Sequence, residues 1–401
     1  MTSTYDATEG TTPAGPTRFG AFIAPFHPDD ESPTLQLRRD LELIDHMEGL
    51  GFDEAWIGEH HSGAYELIGS PEVFIAAAAE RTRRIRLGTG VSSLSYHHPL
   101  ILADRMCQLD HQSFGRVMLG IGPGQLPTDA FMMGIDPMDQ RRRMQESLDV
   151  MVRLLRGEVV TAKSDWFELN EGRLQLLPYQ RPTLEIAVAS TVSPAGASAA
   201  GRHGLGLLSI AATNPQGFDA LNTNWQVASD AAAASGTAMS REKWRVVCPM
   251  HLAESREQAE AELSWGVQKL VRYMEGVGGR ELSFGRSPEL AIARWRERGF
   301  GVLGAAVIGT PDDAIAKIEQ LVGHTGGFGT FLLLAHNCAA PEATWRSYEL
   351  FARYVMPHFQ QANRGRRASI EWAHAHGEEF MGRAAEAIKQ AMADHRPAAA
   401  D

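Results

Sequence analysis

Cysteine is scarce in this chain. Cys107, Cys248 and Cys338 are the only three in 401 residues, and none belongs to a C-x-x-C pair. A disulfide framework and a cysteine-rich zinc site are thereby excluded, and a reduced, cytoplasmic setting is expected. No apolar run reaches the length that spans a bilayer, so no membrane role is read. Basic excess is lacking too: 49 Asp and Glu outnumber 38 Lys and Arg, for a formal net charge of -11. Nucleic acid is therefore not expected as the main ligand. The opening "MTSTYDATEGTTPAGPT" lacks the basic and apolar regions of a secretory signal. Its Thr, Gly and Pro content predicts a disordered leader over residues 1–17.

What is present is a globular composition, 44% hydrophobic and 22% charged. Short apolar stretches alternate with helical ones. Strands are predicted at 18–26, 54–61, 85–94, 116–124, 183–190, 205–210, 245–253 and 329–335. Between them, "TLQLRRDLELIDHMEGLG" has helical spacing and stops at glycine. Pro71 and Pro99 suit first helical positions, and 139–157 ends on Gly157. Residues 166–178 read as a hairpin, and 305–310 as a further short strand. Eight strand–helix units without a composition break favour a closed (β/α)8 barrel, of TIM type, over a doubly wound sheet. The expected domains are a barrel over 18–360 and a helical tail over 361–401. Residues 276–303 read as an irregular, glycine-rich lid insertion. In the tail, Ile370, Trp372, Phe380, Ala384 and Ile388 supply an apolar face that covers the barrel or meets another subunit.

Barrel enzymes work at the C-terminal ends of their strands. "EAWIGEHH" ends there in Glu59, His60 and His61. Neighbours on an extended chain point opposite ways, so Glu59 and His60 do not form a simple metal pair, and no metal site is predicted. An acid–base site and a strand end tied by local hydrogen bonds stay open. Other strand ends expected at the mouth are Thr89-Gly90, Gly122-Pro123-Gly124, Ser190-Thr191 and His336-Asn337. "ASTVSPAGA" offers Ser193 as an N-cap and Pro194 as the first helical residue, a start suited to an anion such as phosphate. Neither a Walker loop nor a G-x-G-x-x-G fingerprint follows a strand.

The run from "GFDEAWIGEHHSGAYELIGSPEVFIAAAAERTRRIRLGTGVSS" through "LSYHHPLILADRMCQLDHQSFGRVMLGIGPG" resembles the bacterial-luciferase-like, flavin-dependent monooxygenases. "AVASTVSPAGA", "VIGTPDDAI" and "SYELFARYVMPHF" extend the likeness over roughly residues 18–360. "WRVVCPMHLAESREQA" and "GGFGTFLLLAHNCA" look most like the limonene-monooxygenase-type members. The resemblance implies an oxidoreductase that takes reduced FMN from a separate NAD(P)H-dependent reductase. Through a flavin C4a-hydroperoxide it would insert one atom of O2 into a small hydrophobic substrate, such as a terpene. A homo-oligomer, dimer or tetramer, is expected. The alternatives are FAD or deazaflavin F420 as cofactor, the latter for hydride transfer, or a non-catalytic flavin-binding protein.

By the same resemblance His60 matches the active-site histidine, with Glu59 beside it and Asp129 an acidic residue near the flavin. Thr89 and Gly122 fall among the flavin-binding positions, and Gly90-Val91 matches a cis peptide under the ring. Ser190, Thr191 and Ser193 match the phosphate loop, and Arg141 a basic residue near it. Gly122-Pro123 stands where luciferase has Cys-Arg, and Ile210 where it has a tryptophan. Both changes suit a bulkier apolar substrate, and light emission is not implied.

Overall fold

The computed structural model describes residues 15–24, 27–63, 66–278 and 287–395. Eight parallel strands form its centre. They are β1 (Arg18–Ile23), β2 (Glu54–Ile57), β3 (Arg86–Thr89), β4 (Val117–Gly122), β5 (Ile186–Ser190), β6 (Gly206–Ser209), β7 (Trp244–Leu252) and β8 (Thr330–Leu334). Each pairs in parallel with the next, and β8 returns to β1, Phe19 opposite Phe331. The sheet is thus closed, the expected (β/α)8 barrel, and has no free edge. Short apolar strands buried on both faces require helices outside, and the sequence supplies them. Helix after helix opens on a proline: Pro71, Pro99, Pro215, Pro288, Pro311 and Pro341. Proline suits that position because its missing N–H would be unbonded there anyway.

The barrel interior is apolar above and ionic below. Phe22, Trp56, Met118, Ala187, Leu208, Val247, Leu332 and Leu334 pack together inside it. At the N-terminal end Arg245, fully buried, donates to both carboxylate oxygens of Glu54 at 2.9 Å and to Glu185 at 2.7 Å. Trp56 Nε1 also donates to Glu54, at 2.9 Å. Burial pushes the Glu54 and Glu185 carboxyls up, but the Arg245 charge outweighs it and both lie low, Glu185 at about 2. A buried charge set is tolerated only when its partners are complete, and here they are.

Among the connections two stretches depart from the sequence expectation, the hairpin and residues 276–303, while β7 keeps to the expected 245–253 within one residue. The hairpin starts earlier than 166, pairing Val160–Lys163 with Glu168–Gly172. β7 runs nine residues and continues past β6 to pair with the short strand Val307–Gly309. Residues 276–303 are not irregular where described. The helix Val267–Gly278 runs into this stretch, and Pro288–Glu297 is helical behind a Ser287 cap. Ala291, Ile292 and Trp295 of that second helix are buried against Leu263, Leu270 and Val271. The burial of an apolar face outweighs the flanking glycines. The rest of the expected lid, 279–286, lies outside the described residues, as does the leader before residue 15.

The chain forms two compact units, the second from Pro357 onward. That unit holds the helices Arg364–Ala375 and Gly377–Asp394, with Ile370, Trp372, Phe380, Met381 and Ile388 exposed. Among the described residues no helix is long and apolar enough to cross a membrane.

Candidate active site

β2 leaves its ladder at Ile57, so the expected strand through His61 is too long. Glu59, His60 and His61 occupy the loop beyond it, at the C-terminal mouth. Their alternation persists in this stretch. Glu59 and His61 meet on one side, His61 Nε2 lying 3.1 Å from Glu59 Oε1. His60 faces the other way: Nδ1 is 3.3 Å from Asp129 Oδ2, and Nε2 is 2.6 Å from Glu66 Oε2. The structure therefore brings His60 and Asp129 together and sets Glu59 on the opposite side, against His61.

Glu59 is buried and fully engaged. Its Oε2 accepts the Ser93 N–H at 2.6 Å, and its Oε1 lies 2.5 Å from His97 Nε2. Burial pushes this carboxyl up, yet the bonds from His61 and His97 outweigh it and hold it at about 2. His61 is raised above the ordinary imidazole value by its bond to Glu59. For His97 burial acts downward, and the Glu59 bond and charge win, so it too is raised. Asp129 accepts the His61 N–H at 3.2 Å and the Ser62 hydroxyl. Burial raises it, and the bonds from His60 and Ser62 bring it below the usual carboxylate range.

Sequence reasoning gave no role to His97, Glu66 or Ser62. A signal existed for the first: "HHP" at 97–99 repeats the paired histidines of 60–61 at a neighbouring strand end. His336, by contrast, does not open on the mouth as expected. It is buried beside Trp295 and His251, with Nε2 3.1 Å from the Met250 carbonyl. Burial drives its imidazole down to about 3, so it stays neutral. The helix Pro288–Glu297, unread in the sequence, supplies the Trp295 that covers it.

An apolar rim adjoins this polar set. The Gly90–Val91 peptide bond is cis. Thr89, just before it, is buried and donates to the Gly120 carbonyl at 2.7 Å. Val91 packs so closely on Gly122 that a Cβ there would lie 2.7 Å from Val91 Cγ2. Glycine is thus required at 122 to seat Val91. Ala24, Val91, Ile210 and Leu303, all partly buried, cap the interior cluster from above.

At the β5 end, Ser190 Oγ accepts from Asn224 Nδ2 at 3.1 Å, and the same amide donates to the Thr191 carbonyl at 2.9 Å. Asn224 Oδ1 is buried and has no hydrogen-bond partner among the described residues. Ser193 is not the N-cap expected. The helix begins at Ala195 with Pro194 in the cap position, and Ser193 Oγ accepts only from the Ala195 N–H, at 3.4 Å. Arg141 lies exposed in the first turn of the helix Gln140–Leu155 and makes no ion pair with a described residue. No described His, Cys, Asp or Glu side chains group to hold a metal ion.

Comparison with known proteins agrees with this geometry. The family profile described as luciferase-like monooxygenase matches residues 17–327. Limonene 1,2-monooxygenase of Rhodococcus erythropolis is 47% identical over 341 residues, covering 85% of this chain and 86% of that protein. The 4-hydroxyprotoasukamycin monooxygenase of Streptomyces nodosus subsp. asukaensis is 45% identical over 358 residues, covering 88% and 95%. Among solved structures, the oxygenating constituent of 3,6-diketocamphane monooxygenase from Pseudomonas putida, in complex with FMN, superposes with a TM-score of 0.68. It is 26% identical, and the match covers 85% of this chain and 98% of that one.

Proposed function

The chain belongs to the luciferase-like monooxygenase family, and from that premise we propose that it uses reduced FMN and O2 to oxygenate a small hydrophobic molecule. A separate NAD(P)H-dependent reductase would deliver the flavin. The observation that carries this reading is the mouth itself. An apolar rim of Ala24, Val91, Ile210 and Leu303 adjoins a carboxylate-held histidine.

The residues present fit FMN. Val91, seated on Gly122, and Ala24 and Ile210, packed against the same interior cluster, offer an apolar surface for a planar ring. The hydroxyls of Thr191 and Ser193 can donate to a ribityl phosphate, and Asn224 Oδ1, an acceptor without a partner among the described residues, suits a ribityl hydroxyl beside it. With Pro123 in place of luciferase's arginine, Arg141 is the cation left to meet the phosphate. When bound, reduced FMN supplies the two electrons with which O2 gives one oxygen atom to the substrate and the other to water. His60 positions reactants and moves a proton at Nε2, where Glu66 offers a second seat for it. Glu59 holds His61 and His97 in place and so fixes the loop on which His60 stands. We place the enzyme in the cytoplasm as a homo-oligomer.

Limonene, named for the relative from Rhodococcus erythropolis, is the first substrate to test. With a flavin reductase, NADH and FMN, the protein should form an oxygenated product only in air. A product formed equally under nitrogen would overturn the oxygenase reading.

A further inference from the structure

The rim residue Leu303 comes from an unexpected place. Ala24, Val91 and Ile210 follow β1, β3 and β6, whereas Leu303 belongs to the long connection between β7 and Val307–Gly309. It touches two cores at once: the interior cluster of the barrel, and the cluster of Leu263, Leu270, Val271, Ala291, Ile292 and Trp295 that supports the connection. Its backbone is fixed from both sides. The Leu303 N–H donates to the Phe300 carbonyl at 3.1 Å. Asn214, which caps the helix Pro215–Ser235, donates from Nδ2 to the Gly301 carbonyl at 2.7 Å. The Ala305 N–H donates to the Thr213 carbonyl at 3.0 Å. Gly304 follows with φ 72° and ψ 177°, a conformation that glycine alone adopts readily, and a Cβ there would lie 2.4 Å from Thr213 Oγ1. A turn pinned in this way holds its side chain still.

From this geometry we propose that Leu303 is a specificity-determining residue that sets the size of the apolar substrate. The inference rests on the oxygenase reading above and sharpens it. The four rim residues are all hydrocarbon, so they select by shape, and a hydrocarbon wall discriminates by volume removed or added. Leucine on a fixed backbone restricts the space over the interior cluster that Ile210 also caps. Shortening it enlarges that space, and an indole closes it. The preferred ligand class is therefore a compact hydrocarbon without a charge, because the rim offers no group to receive one.

The test uses the full chain with a graded series of 1-alkylcyclohexenes, from methyl to hexyl, competing in one vessel with chemically reduced FMN and air. Leu303→Ala should shift the product ratio toward the longer alkyl members by at least about tenfold, and Leu303→Trp toward the shortest by a similar factor. Leu303→Met should keep the parental ratio. Independently of turnover, the rise in unfolding temperature given by each alkene should follow the same ranking in the FMN-free protein. All three variants should bind FMN within about twofold of the parent, which shows that the site remains folded. Parental size rankings in both the Ala and Trp variants, with FMN bound, would overturn the role of Leu303. Failure of the parent to bind FMN would instead remove the oxygenase reading, and the inference with it.

Discussion

His97 Nε2 lies 2.5 Å from Glu59 Oε1, a contact that joins residues 38 apart in sequence. It ties the loop after β2 to the segment after β3, and with the His61 bond it makes Glu59 the hub of this side of the mouth. The pH dependence follows from the signs. His61 and His97 are raised, so their contribution is complete below the unfolded value of about 6.5 and fades as pH climbs through the folded values. Glu59 is lowered to about 2, so its share is present above about pH 4.3 and is lost as pH falls toward about 2. Thermal unfolding of the parent should be highest between these limits. His97→Gln should lower it there, with little added loss on the alkaline side. An unfolding temperature with the parental pH profile in the variant would refute this linkage.

The two neighbouring histidines should separate by their defects. His60→Ala should leave FMN affinity nearly intact and cut oxygenated product by at least about tenfold, the lower range for a positioned acid–base group. His61→Ala should cost about 1–3 kcal/mol of stability, since it removes one of the three partners of a buried carboxylate, with a smaller effect on turnover. Denaturant unfolding and product formation measured on the same preparations decide it. Normal turnover in His60→Ala would end the catalytic assignment.

At the phosphate end, Arg141 and Arg142 make a controlled pair. Arg142 is already engaged by Asp139, Glu146 and Asp165. Arg141→Ala should weaken FMN binding by about tenfold or more, as expected for a lost charge-assisted bond, while Arg142→Ala changes it little. Flavin fluorescence titration distinguishes them, and equal affinities for the parent and Arg141→Ala would show that the phosphate sits elsewhere.

At the barrel floor, Arg245→Met should destabilise by about 3–5 kcal/mol, because buried Glu54 loses both guanidinium hydrogen bonds and keeps only Trp56 and the more distant Arg18 and Arg86. Since both carboxylates are lowered, the floor is strong above about pH 4.3 and weakens as pH falls through their folded values, Glu185 at about 2. The difference between parent and variant should therefore shrink in acid. A constant difference across pH would contradict the ionic account.

The barrel was legible because its signals are local. An apolar run of strand length followed by proline and a helical period needs only a few residues to show itself. The site was legible in part, through the family likeness of "EHH", "GTGVSS" and "ASTVSPAGA". Contacts across the chain were not. Nothing in "SYHHPL" names Glu59 as the partner of His97, and nothing in "WRVVCP" places Arg245 against Glu54, 191 residues away. The second helix of the 276–303 stretch is a different case. Ser287, Pro288 and the apolar Ala291, Ile292 and Trp295 announce it, yet the glycines around it drew the reading toward a loop.

Among the described residues, the packed base of Arg245, Glu54 and Trp56 closes the N-terminal end of the barrel, which leaves the C-terminal mouth as the way in. Flavin and substrate that both bind at the mouth would use the same opening, so whichever sits deeper must enter earlier and leave later. Traffic through that opening therefore has an order imposed by architecture rather than by affinity. An alkene loaded first should obstruct the arriving flavin, and stopped-flow mixing in the two possible orders should give unequal rates of flavin uptake. Equal rates would mean a second entrance exists.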